Sequence, residues 1–117
     1  METSLADFVH RIVSASPELT AIYRQHIVDQ DEVLPHVLMG EIARFVIAST
    51  ASNESPVWRA NLLQQLEAGI ESGGSEVAEM IGVSFVEILC GENVALAALL
   101  PAMGDALRQE VRAICGV

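Results

Sequence analysis

Apolar residues return every three or four positions from Leu5 to Ile114, and no stretch sustains the two-residue alternation of a strand. A chain patterned this way buries its stripes by packing helix on helix, so the expected fold is all-α. Leu5, Phe8, Val9, Ile12 and Val13 mark a first amphipathic helix, with Thr3 or Ser4 as its cap. Ser16-Pro17 restarts the chain, because serine caps a helix and proline is tolerated in its first turn. Leu19, Ile22, Tyr23, His26 and Ile27 then form a second stripe. After the polar turn Asp29-Gln30-Asp31-Glu32, Pro35 opens a third helix with Leu38, Ile42, Phe45 and Val46 on one side.

The loop Ser49 to Ser55 is rich in small polar residues, and Ser55-Pro56 repeats the pairing of cap and proline. Trp58, Leu62, Leu63, Leu66 and Ile70 are the expected buried stripe of a fourth helix, which Gly73-Gly74 stops. Ser75 is the expected cap of a fifth and central helix, apolar around most of its circumference, with Gly91 ending it as glycine commonly does past a C-terminus. A short apolar helix, Asn93 to Leu100, breaks at Pro101, and Met103, Leu107, Val111 and Ile114 belong to the last. Connections this short make successive helices antiparallel neighbours. The expectation is one domain over residues 1–117, an antiparallel bundle of about six or seven helices. A HEAT-like stack of helical hairpins is the alternative, and the absence of a repeat period favours the bundle.

The charge is one-sided. Sixteen acidic residues stand against six arginines, with no lysine, for a net charge of −10. Between Ala60 and Leu107 the acids Glu67, Glu71, Glu76, Glu79, Glu87, Glu92 and Asp105 meet no base. Such a surface repels nucleic acid and anionic lipid and attracts basic proteins. It also keeps a chain that is 51% apolar, with mean hydropathy +0.40, in solution. The longest apolar run, Val94 to Met103, contains Pro101 and falls short of the roughly 20 residues of a spanning helix. The N-terminus lacks the basic and apolar regions of a secretory signal, so a cytoplasmic setting is expected, with no membrane partner. In that setting Cys90 and Cys115 are most simply core thiols, a disulfide between them being the less favoured alternative.

Motifs with chemistry are few. Glu76 to Ser84 resembles the first helix and turn of a helix-turn-helix, which would make the segment from Ser84 a recognition helix. That segment offers no Arg, Lys, Asn or Gln and brings Glu87 and Glu92, so DNA binding is not expected. Gly73-Gly74-Ser75 could form an anion nest, but Glu71, Glu76 and Glu79 oppose it and the turn reading is preferred. His10, His26 and His36 have no ligand spacing; His26 reads as a hydrogen-bonded core histidine and His36 as a surface contact of Glu32. No nucleophile elbow, Walker loop, dinucleotide fingerprint or zinc signature occurs, so no catalytic residue, cofactor or metal is expected.

Leu34-Pro35-His36-Val37-Leu38-Met39-Gly40-Glu41-Ile42-Ala43-Arg44-Phe45, Leu62-Leu63-Gln64-Gln65-Leu66-Glu67 and Val83-Ser84-Phe85-Val86-Glu87-Ile88-Leu89 resemble segments of a family of small bacterial helical proteins. That family is similar in size, acidity and helical content to the immunity proteins of polymorphic toxin systems. The resemblance covers Leu34 to Val111 and rests on helix packing, so it implies no catalytic residue. Together with the base-free acidic half, the apolar surplus and the absence of a site, it leads to the expectation of a binding protein, an immunity protein that occludes a cognate toxin with an acidic helical face, the candidate residues being Glu67, Glu71, Glu76 and Glu79 of that half. A homodimeric structural or regulatory module is the competing expectation, and the apolar surplus suits either.

Overall fold

The computed structural model describes residues 4–116, and among them every regular element is helical. Helix α1 spans Leu5–Val13, α2 Pro17–Gln30, α3 Pro35–Ser49 and α4 Val57–Ser72. Helix α5, Ser75–Ile81, runs through a π-helical turn, Gly82–Val86, into α6, Glu87–Leu89. Then come α7, Asn93–Leu99, a 3-10 turn, Leu100–Ala102, and α8, Asp105–Cys115. The fold is an all-α single domain. The expected candidate cap Thr3 lies outside the described residues.

Local cap chemistry sets the first boundaries. Asp7 N–H donates to Ser4 Oγ at 3.1 Å and Leu19 N–H to Ser16 Oγ at 3.2 Å, so each serine satisfies one of the orphan donors of a helix start. Two later boundaries differ from expectation by one residue. Pro56, with ψ 143, itself occupies the cap position of α4, and Ser55 makes no cap there. Gly74, at φ 95, takes the cap position of α5 and leaves Ser75 as its first helical residue. Only glycine adopts that backbone without strain, and it turns α5 back along α4. Gly91 is not left-handed, and the helix it was expected to end stops at Leu89.

The π-helical turn is the centre of the molecule. Glu87 N–H donates to Gly82 O, five residues back, and α3 and α8 both pack on this wide turn. An added Cβ on Gly82 would meet Ile114 Cδ1 at 3.0 Å, and one on Gly40 would meet Ile88 Cδ1 at 3.4 Å. Small residues therefore let α8 and α3 approach the widened turn. Phe85, Val86, Ile81 and Met80 are fully buried there, against Leu38, Ile42, Leu107 and Val111. Gly82 has right-handed angles, φ −61 and ψ −53, and the chain does not turn at it. The helix-turn-helix reading is thereby overturned: Ser84 lies inside one continuous helical rod.

Two further packing solutions position α4. Gly69 lies so close to α1 that a Cβ would stand 2.7 Å from Phe8 Cε1, a contact no alanine could make without displacement. The helix therefore keeps glycine although alanine is preferred by about 1 kcal/mol on propensity alone. Arg59 is 7% exposed and donates from Nη1 to Ser49 O and Ser49 Oγ and from Nη2 to Glu54 O. Its charge sits on the carbonyl end of α3, where the helix dipole favours a cation.

Cys90 and Cys115 are joined in a disulfide, with Cα atoms 5.2 Å apart and a sequence separation of 25. The expectation of two core thiols is corrected: the π-helical turn brings the end of α8 beside the end of α6, at a separation that cystine geometry fits.

Candidate functional site

The acidic residues singled out from the sequence separate into two kinds. Glu71 lies in the last turn of α4, and Glu76 and Glu79 lie in the first turns of α5, all three exposed. The Gly73-Gly74 connection joins the two helix ends that carry them. Glu76 has a local reason for its place, since an acid in a first turn complements the helix dipole. Glu71 has none: it stands at the carbonyl end of α4, where that dipole is unfavourable and the last turn contains no base.

Glu67 does not belong with them. Its Oε2 accepts from Ala106 N–H at 2.7 Å and its Oε1 from Leu107 N–H at 2.9 Å, so this partly buried carboxylate caps the start of α8 from another helix. The residue at the cap position of α8 is Gly104, which has no side chain to offer. A Cβ on Gly104 would lie 2.6 Å from Glu67 Cδ. Glycine leaves room for the incoming carboxylate, and the carboxylate does what a capping side chain would do. The expected four-glutamate surface is reduced to Glu71, Glu76 and Glu79, because both oxygens of Glu67 are committed within the chain.

The histidines resolve into structural ties. His26 is 1% exposed; Leu34 N–H donates to its Nε2 at 3.0 Å, so that nitrogen carries no proton and Nδ1 donates to Glu41 Oε1 at 2.9 Å. The pair is thus a hydrogen bond joining α2 to α3, as expected of a core histidine. His36 bonds through Nδ1 to Ser84 Oγ at 2.9 Å instead of meeting Glu32. A serine and a histidine at this distance are the beginning of a nucleophilic pair. No third group orients this imidazole among the described residues, and the bond ties α3 to the π-helical turn. No group of three His, Cys, Asp or Glu gathers at metal-binding distance among the described residues.

A family model described as a domain of unknown function, DUF7674, matches residues 9–116. No curated protein matches the chain. No solved structure matches it either. The matched span begins inside α1 and ends one residue past α8, taking in both members of the Glu67–Gly104 pair and both cysteines, and the chain belongs to the DUF7674 family.

Proposed function

We propose that the protein works by binding another protein, and that its partner is basic. The observation that carries this reading is the unpaired acidic surface at the α4–α5 turn. Glu71, Glu76 and Glu79 are exposed, none of them makes an ion pair among the described residues, and Glu71 sits where it disfavours its own helix. A cationic surface would relieve that repulsion and be drawn in by the −10 field of the chain. The most specific form of the reading is an immunity protein that covers the active site of a cognate toxin. The test is co-expression with the toxin domain encoded by a neighbouring gene. Growth restored by this protein is the expected result; continued arrest, or a neighbourhood without any toxin gene, would contradict the immunity reading.

A homodimeric module is favoured by a different feature. The rings of Phe45 and Trp58 stack at 5.0 Å on the surface beside Val57, which is 74% exposed. Phe45 and Trp58 were expected on buried stripes and instead lie partly open. For a cytoplasmic setting, the absence of any described helix long and apolar enough to cross a membrane is compatible. The Cys90–Cys115 link weighs against it, since structural disulfides persist mainly in oxidising compartments.

A further inference from the structure

We infer that the C-terminal hairpin holds a binding groove for a small amphiphilic carboxylate, an apolar chain with one carboxylate head. The groove has a volume of about 560 Å³ and lies between Ala97, Leu100 and Pro101 on one side and Arg108, Val111 and Arg112 of α8 on the other. That volume is within the roughly 300–1,000 Å³ of small-molecule sites. Its floor is apolar and its α8 wall is cationic.

Two of the six arginines in an acidic chain meet at this one place. Arg108 is braced across the groove, donating from Nε and Nη2 to Leu100 O at 3.2 and 2.9 Å, which leaves Nη1 for a ligand. Arg112 follows one helical turn later and is exposed. Like charges at that spacing repel, and neither guanidinium has a carboxylate within ion-pair distance among the described residues. In a chain with so many acids, two adjacent cations with no ion pair among the described residues fit an anion brought from outside. Pro101 closes one wall, and Ala97 and Leu100 supply the surface for the apolar chain. The net charge of −10 opposes a multiply charged anionic bilayer far more than a single carboxylate, so the ligand comes free in solution and not as part of a lipid surface.

All six lining residues fall within the loop closed by Cys90–Cys115. The disulfide ties the end of α8 to the chain just before α7, so both walls are held at one spacing before any ligand arrives. A preformed site loses less freedom on binding than one that must assemble.

The test is titration calorimetry of the oxidised protein with decanoate below its micellar range. Methyl decanoate, decyltrimethylammonium and acetate serve as comparisons, and vesicles of phosphatidylglycerol are a separate arm. Decanoate is expected to bind at least about tenfold more tightly than the ester, with no measurable binding of acetate or the cation. Arg112→Gln, at an exposed position, should remove that advantage while the ester binds as before. Arg108→Gln should act in the same direction, and Ala97→Trp should fill the groove and abolish both. Equal affinity for decanoate and its ester, an Arg112→Gln variant that keeps the preference, no binding of decanoate, or binding to the vesicles alone would each overturn the inference. None of these outcomes bears on the acidic surface, which lies on other helices.

Discussion

Reducing the Cys90–Cys115 disulfide is expected to lower the stability of the protein by about 3 kcal/mol. The estimate follows from closing a loop of 25 residues' separation, which restricts the unfolded chain. The folded side of the comparison points the same way. Helix α7 touches chiefly α6 and the 3-10 turn, and the fully buried side chains of α8 are Leu107 and Val111. Helices this short are marginal on their own, so the hairpin leans on its packing and its cross-link. A chain of this size should lose about 10 °C or more in melting temperature, read by thermal unfolding with and without reductant and on a Cys90→Ser/Cys115→Ser variant. Amide exchange should accelerate most within 93–115. A melting temperature indifferent to reductant and to both substitutions would show that the link constrains nothing the packing does not already hold.

The second large effect belongs to Glu67. Replacing it with lysine should destabilise the protein by about 2–3 kcal/mol, since two partly buried N–H groups lose a charged acceptor and a cation faces a helix N-terminus. Glu71→Lys, on an exposed position of the same helix, should move stability by under about 0.5 kcal/mol. A sharper form uses Gly104. Serine at a cap position ordinarily stabilises a helix relative to residues that cannot cap, with glycine a few tenths behind. Here Gly104→Ser should instead destabilise, because its Cβ, 2.6 Å from Glu67 Cδ, would push the carboxylate off the two N–H groups it accepts from. In a Glu67→Ala background the same substitution should become stabilising, since the space is vacant and the N–H groups need an acceptor. The thermal or denaturant double-mutant cycle reads that reversal of sign directly. Additive effects of the two changes would show that Glu67 and Gly104 do not share one cap.

Features written in local chemistry were legible in the sequence. Ser4, Ser16-Pro17 and Pro35 announce helix starts because a capping hydroxyl or a fixed φ acts within a few residues, and His26 declared itself by sitting on an apolar stripe. Ser55 and Ser75 misled by one position because a neighbouring Pro56 and Gly74 can hold the cap geometry themselves. The π-helical turn was hidden, since it answers the packing of α3 and α8 and leaves no periodic mark of its own. The cysteine pair was hidden for the same reason: a spacing of 25 residues says nothing about which helix ends meet.

Glu67 and Glu71 lie one turn apart on α4, yet tertiary structure gives them opposite duties. The sequence carries no warning of this, since aspartate is itself a preferred cap; only the structure shows Gly104 at the cap position of α8, where the acceptor must come from elsewhere. Arg59 left a weak trace, a lone cation after a polar loop, and its three acceptors become visible only when α3 and α4 are brought together. The groove of Arg108 and Arg112 could be half read, as two arginines four apart on one helix. The opposing wall at Leu100 and Pro101 is a product of the chain reversal.

The claim that the α4–α5 surface recognises a basic protein is tested most directly by the rate at which the partner identified by co-expression associates, measured by stopped flow at low and high salt. The wild-type rate should fall with added salt. In the Glu71→Lys/Glu76→Lys/Glu79→Lys variant, with Glu67 left intact, it should drop by about tenfold at low salt and lose that dependence, while the melting temperature stays nearly unchanged. An unaltered rate with unaltered salt dependence would contradict the account and leave these three glutamates the role of keeping an apolar chain in solution.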